Sequence, residues 1–356
     1  WNKFCFTGGV VEIRAKLPGR HDIGGLWPAM WLLGNLARAT YVGSSDNMWP
    51  WSYNTCDRKL QHAQKLSACN QAVHYGLHPY QGRGAPEIDI LEAMPGVEQL
   101  KLTTTNKPYY STSFQVSPAF MDERPVLGHP PEEGVWYNDG VEYGPNSTLN
   151  IFFYGVKLKH LQEDRTYQTD AVSANRNIGR EHFEDFHTYR MEWNPGPNGT
   201  LSWYLDDTFV YRIHARALAA TGAIVPEEPM YLLLNTAVSS TWGFPAPCPD
   251  GCSCECFDCK KEKCGCAIPT DMCTNFPAHF LIDYVRVYQD VKNGGHKVGC
   301  STESHPTEKF ILSNKDDFKD PDDKEVLRPV KVGTARCSSD DDCDGFAGRG
   351  LCKRGR

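Results

Sequence analysis

Between Phe6 and about Asp290, apolar and polar residues alternate with a period of two in short runs broken by Gly, Pro, Asn and Asp. That is the pattern of β-strands with one buried face. Val10-Val11-Glu12-Ile13-Arg14-Ala15-Lys16-Leu17 alternates and stops at Pro18-Gly19. Leu201-Ser202-Trp203-Tyr204-Leu205 meets Asp206-Asp207 and resumes at Thr208-Phe209-Val210-Tyr211, which predicts a hairpin. Leu281 to Tyr288 is the clearest alternating strand, and only Ala215 to Thr221 reads as helix. Many short strands with turns between them predict an all-β sandwich.

One run carries more charge than a buried strand tolerates. Glu87-Ile88-Asp89-Ile90-Leu91-Glu92 places Glu87 and Asp89 on one face and Ile88 and Ile90 on the other, while Glu92 breaks the alternation by one residue. A β-bulge after Asp89 would return Glu92 to the face of the other two acids. Such a triplet arises by chance about once in several chains this long, and alone it is more often a solvated edge strand. Whether the acids do chemistry depends on the company they keep along the chain. An effective four-residue offset separates the two Glu backbones by roughly 13 Å, a gap that side chains leaning together can largely close.

Composition narrows the setting. The net charge is −7, which argues against nucleic acid as a partner, and Lys353-Arg354-Gly355-Arg356 reads as a solvated tail. Fifteen cysteines favour an oxidising compartment, with Asn146-Ser147-Thr148 and Asn198-Gly199-Thr200 as glycosylation acceptors. Eight cysteines (Cys248, Cys252, Cys254, Cys256, Cys259, Cys264, Cys266 and Cys273) fill a loop insertion over residues 246–275. Zinc ligation is an alternative, but no C-x₂-C pair repeats at the standard separation, so disulfides are favoured. Eight cysteines allow on the order of a hundred pairings, which spacing does not resolve. Cys56 and Cys69 are placed to staple a separate insertion. No metal or cofactor is expected, and nothing in the sequence points to structural calcium. Residues 291–336 turn polar and charged and read as a flexible linker, with residues 337–356 as the start of a cysteine-containing module. The chain opens on Trp1 in mid-pattern, as a fragment of a longer protein would.

Four motifs in order give a specific resemblance. They are Gly25-Leu26-Trp27-Pro28-Ala29-Met30-Trp31-Leu32-Leu33-Gly34, then Glu87 to Glu92, then Phe186 to Trp193 with Trp203-Tyr204-Leu205-Asp206, then Ile282 to Tyr288. Over residues 1–290 the chain resembles glycoside hydrolase family 16, which includes laminarinases and related β-glucan enzymes. Trp49-Pro50-Trp51-Ser52-Tyr53, Gly82-Arg83-Gly84-Ala85-Pro86 and Pro226-Glu227-Glu228-Pro229-Met230 are most similar to its fungal-type members associated with β-1,6-glucan synthesis. The cysteine insertion departs from that pattern, and the family's first strands and N-terminal membrane-anchor region are not in this chain. The resemblance implies a concanavalin A-like jelly-roll with a sugar-binding groove, and anchorage through a missing N-terminal segment. It implies Glu87 as nucleophile, Glu92 as general acid/base and Asp89 assisting, in a hydrolase or transglycosylase acting on β-glucan. The rival readings are a non-catalytic glucan-binding lectin of the same fold and a cysteine-rich structural wall protein.

Sugars present flat CH faces, so a groove needs aromatic platforms. Trp27 and Trp31 share one strand face, and Trp49, Trp51 and Tyr53 alternate similarly. With Asn235 and Trp242 they form the expected substrate-binding set. His187 has no nucleophile to pair with and reads as a structural or supporting residue.

Overall fold

The computed structural model describes residues 1–39, 48–56, 66–67, 80–97, 104–120, 124–132, 136–159, 166–238, 250–253, 256, 258–266, 268–269, 271–316 and 318. Within them, two antiparallel sheets stack face to face as a jelly-roll sandwich. The larger sheet runs β10 (Val156–Lys159), β11 (Thr166–Asn177), β7 (Tyr109–Val116), β6 (Glu87–Met94), β3 (Leu26–Gly34), β15 (Met230–Val238), β1 (Phe6–Thr7) and β17 (Lys297–Val298). The strand β9 (Ser147–Leu149) also pairs with β11. The smaller sheet runs β16 (Leu281–Tyr288), β2 (Gly9–Lys16), β12 (His187–Asn194), β13 (Thr200–Leu205), β14 (Thr208–His214) and β8 (Val141–Tyr143). A separate ribbon pairs β4 (Leu66–Ser67) with β5 (Gly82–Arg83).

The alternation seen in the sequence builds the core directly. Val11, Ile13 and Ala15 of β2 turn inward, as do Tyr189, Met191 and Trp193 of β12 and Leu201, Trp203 and Leu205 of β13. They meet Met30 and Leu32 of β3, Ile88, Ile90, Leu91 and Ala93 of β6, and Phe114 and Val116 of β7. At about 1.5–3 kcal/mol per buried large side chain, this single cluster supplies most of the driving force for folding. The β13–β14 hairpin turns through Asp206 and Asp207, both at positive φ (46° and 63°), the conformation a two-residue type I′ turn requires. The expected helix at Ala215 is a single 3₁₀ turn, Ala215–Leu218.

The expected linker over residues 291–336 needs correction in its first part. Residues 291–318 are not a linker. Strand β17 pairs with β1, Cys300 is disulfide-bonded to Cys5, a helix spans Glu308–Ser313, and Phe310, Ile311 and Phe318 are buried. Polar composition misled because few apolar residues suffice when a disulfide and a neighbouring sheet edge hold the chain. The folded unit therefore runs past 290, while residues 319–356 lie outside the described set.

The cysteine insertion forms Cys252–Cys266, Cys256–Cys264 and Cys259–Cys273, the second nested within the first. Cys56 is also disulfide-bonded, and Cys69, Cys248 and Cys254 lie outside the described residues. Asn146 and Asn198 are both exposed, as glycosylation acceptors must be.

Candidate active site

The β6 strand carries the bulge that its sequence requires. Glu87 pairs with Leu33 and Asp89 with Trp31 of β3, but Leu91 then pairs with Met30, so Ile90 is the extra residue. The same shift occurs against β7, between Asp89 opposite Ser113 and Glu92 opposite Ser111. Ile90 and Leu91 both enter the core, and Glu92 rejoins Glu87 and Asp89 on the opposite face. Two large aliphatic side chains buried in succession stabilise the bulge against a regular register, which would leave Leu91 in the groove and Glu92 in the core.

Each acid has its own donor. The Trp49 indole N–H donates to Glu87 Oε2, the Trp27 indole N–H donates to Glu92 Oε1 at 3.1 Å, and the Gln115 amide donates to Asp89 Oδ2 at 3.1 Å. From the core side, the Trp203 indole donates to the Asp89 carbonyl at 3.0 Å and pins the backbone at the bulge. Asp89 is sealed, whereas Glu87 and Glu92 keep part of their surface open while being packed about by protein.

Electrostatics follows from that enclosure. Burial pushes the Glu87 carboxyl well up, and the charges of Asp89 and Glu92 push it further, against the Trp49 hydrogen bond. Burial raises Asp89 to about 6, tempered by its hydrogen bonds from Gln115 and Glu87. Glu92 is raised well above the carboxylate range by burial and then by Asp89, with Trp27 opposing. Glu87 and Asp89 share a hydrogen bond, which needs a proton between them. Three carboxyls held this close titrate as one cluster, each disfavouring the ionised form of its neighbours.

The structure divides the expected aromatic set. Trp27, Trp31 and Trp49 are half-buried beside the acids, and Trp31 donates its indole N–H to the exposed Asn235 at 2.8 Å. Trp51 and Tyr53 are corrected. They are 2% and 8% exposed within the main core, and the Tyr53 hydroxyl donates to the Pro118 carbonyl at 2.7 Å. Their segment is coil rather than strand, so alternation does not hold and neither ring offers a face to a sugar. Trp242 lies outside the described residues. His187 sits on β12 of the other sheet, 2.6 Å from the Asp206 carboxylate and stacked on His182 at 3.9 Å.

Sequence reading missed Gln115, although Ser111, Ser113 and Gln115 alternate with Tyr110 and Phe114 and so mark a polar face on β7. It also passed over Arg83 and Glu228, a fully buried ion pair that joins the chain just before β6 to the chain just before β15.

Residues 1–246 match the family described as beta-glucan synthesis-associated protein SKN1/KRE6/Sbg1. The chain belongs to that family. The beta-glucan synthesis-associated protein KRE6 of Saccharomyces cerevisiae is 29% identical over 95% of this chain and 44% of that protein. A beta-glucanase of Rhodothermus marinus is 30% identical over 112 residues, 30% of each chain. The chain thus spans less than half the length of either curated relative. The laminarinase catalytic domain of Thermotoga maritima aligns at 22% identity and TM-score 0.37, over 81% of this chain and 66% of that one.

As a member of the SKN1/KRE6/Sbg1 family, the chain joins a beta-glucan synthesis-associated name to a three-acid strand. No described group of His, Cys, Asp or Glu could hold a metal ion, and no described helix is long and apolar enough to cross a membrane.

Proposed function

We propose that this protein is a retaining glycoside hydrolase or transglycosylase acting on β-glucan during cell-wall assembly or remodelling. The observation that carries the reading is the bulge at Ile90, which sets Glu87 and Glu92 on one face with Asp89 between them. Both terminal acids receive an indole N–H from a half-buried tryptophan that can also border a bound sugar.

In this mechanism Glu87 attacks the anomeric carbon as carboxylate while Glu92, held protonated by its surroundings, delivers a proton to the departing oxygen. Asp89 takes the proton it shares with Glu87 and frees the nucleophile. Esterification of Glu87 then removes a negative charge from the cluster, which lowers the proton affinity of Glu92 and suits it to act as base. Water or a sugar hydroxyl, deprotonated by Glu92, resolves the glycosyl-enzyme. The disulfides favour an oxidising setting, in the secretory route or at the cell surface.

The test is incubation with β-1,3-, β-1,6- and mixed-linked glucans, with products resolved by chain length. Shortened products indicate hydrolysis and lengthened ones transfer, and Glu87→Gln should abolish either while leaving glucan binding intact. Binding by the wild-type protein with no change in chain length on any glucan would transfer the site to a lectin.

A further inference from the structure

The half-buried Trp49 that reaches Glu87 is held in place from behind. It packs, with Trp31, against a second buried cluster that includes Leu33, Met48, Ala85, Tyr231, Phe310 and Phe318. The last two come from residues 297–318, far from the acids in sequence. Leu33 is the register partner of Glu87 on β3, and Met48 is next to Trp49 in the chain. The cluster therefore packs on Trp49 and includes the β3 residue opposite Glu87.

Residues 297–318 are bound down along their length. Cys300 is disulfide-bonded to Cys5, and the Gly299 amide donates to the Cys5 carbonyl at 2.8 Å. Further along, Arg83 donates to the Pro306 carbonyl at 2.7 Å and to the Thr307 hydroxyl at 2.9 Å, while its guanidinium pairs with Glu228. At the far end, Arg38 donates to the Phe318 carbonyl at 3.2 Å, and Trp1 stacks on Phe318 at 5.4 Å.

Arg83 matters most, because it ends β5 only four residues before Glu87. Residues 84–86, which link β5 to β6, are wedged against the Trp49 segment. A Cβ on Gly84 would lie 2.3 Å from Trp51 Cβ and 2.7 Å from the Met48 carbonyl, closer than any side chain permits. The Ala85 amide in turn donates to the Met48 carbonyl, and the Trp51 amide donates to the Ala85 carbonyl at 3.1 Å.

We infer that residues 297–318 are a positioning strap for the acid site, which holds the Trp49 indole N–H on the Glu87 carboxylate. The strap acts on the acids indirectly, through the cluster that holds Phe310 and Phe318 and through Arg83. Released, it would leave the main sandwich core in place, because that cluster contains no residue of the strap. Trp49 would then lose its backing, and Glu87 would lose the donor that favours its ionised form.

The test uses the whole chain with its indoles labelled with ¹⁵N. Two variants loosen the strap: Cys5→Ser with Cys300→Ser, and separately Phe310→Leu with the disulfide intact. The Trp49 resonance is assigned by its loss in Trp49→Phe, and Trp193 and Trp203, which donate inside the main core, serve as internal references. The Trp49 signal should shift or broaden in both variants while the two references stay put. Should the disulfide variant fail to fold, Phe310→Leu alone decides the matter. An unmoved Trp49 signal overturns the inference, and so does a shift of all three, since the strap would then be a general staple.

The kinetic arm rests on the proposed glycosidase reading. Loss of one hydrogen bond to a charged group should move the acidic limb of the kcat/KM profile up by about one pH unit, with KM within roughly twofold. Absent turnover, the resonance still decides on the strap, and only the functional reading fails.

Discussion

Asp89 is held at a cost that pH should expose. Its carboxyl is sealed in the fold and raised from the ordinary 3.8 to about 6, chiefly by burial. A raised carboxyl contributes stability that is fully present below about 3.8 and is lost as pH rises through about 6. Across that gap the loss is about 3 kcal/mol at 1.36 kcal/mol per unit, shared within a coupled cluster. Asp89→Asn removes the ionisation and keeps an oxygen to accept from Gln115 and an amide to donate to Glu87. The variant should therefore be about 1–3 kcal/mol more stable than wild type at pH 7.5 and no more stable at pH 4. Urea unfolding of the disulfide-intact protein at the two pH values measures this as a higher midpoint at pH 7.5 with unchanged slope. A loss of stability at pH 7.5, or an equal gain at both pH values, would refute the account of Asp89 as a buried, strained charge.

Three further outcomes follow from the same geometry. Trp27→Phe deletes the donor to Glu92 and should raise the pH at which the basic limb of turnover falls by about one unit, measured on kcat/KM, because the protonated form gains. Trp51→Ala should cost about 3–5 kcal/mol in thermal or urea unfolding yet leave the glucan Kd unchanged, since its ring is in the core. Arg83→Ala strands the buried Glu228 carboxylate and should cost about 3–5 kcal/mol, a loss that shrinks at low pH as Glu228, already raised by burial, takes up a proton. Urea titrations at pH 7.5 and pH 4.5 would separate that from a simple packing loss.

Local pattern reached a long way in this protein. Alternation in Val10–Leu17 and Leu281–Tyr288 produced β2 and β16, and two consecutive aspartates between alternating runs produced the β13–β14 turn. Even the bulge was legible, because Ile90-Leu91 puts two apolar residues where strict alternation allows one, and burial of both forces the offset. These features depend on neighbours in the chain, and a period of two is written in the chain itself.

The tertiary structure alone decided what distant segments do to one another. Trp49, Trp51 and Tyr53 have the same spacing, yet of the three Trp49 is the one that donates to an acid, because a coil hydrogen-bonded to Ser117 and Ala85 has no period to obey. The pairing of Cys5 with Cys300 spans 295 residues, and no local spacing encodes it. The stretch from Val291 to Phe318 looks like linker because its own composition cannot bury much. It folds because Phe310, Ile311 and Phe318 complete a core that includes Leu33 of β3, Tyr231 of β15, Met48 and Ala85. Sequence carried the three acids and their common face, while the enclosure that raises their pKa values, and the strap behind Trp49, arise only from packing across the whole chain.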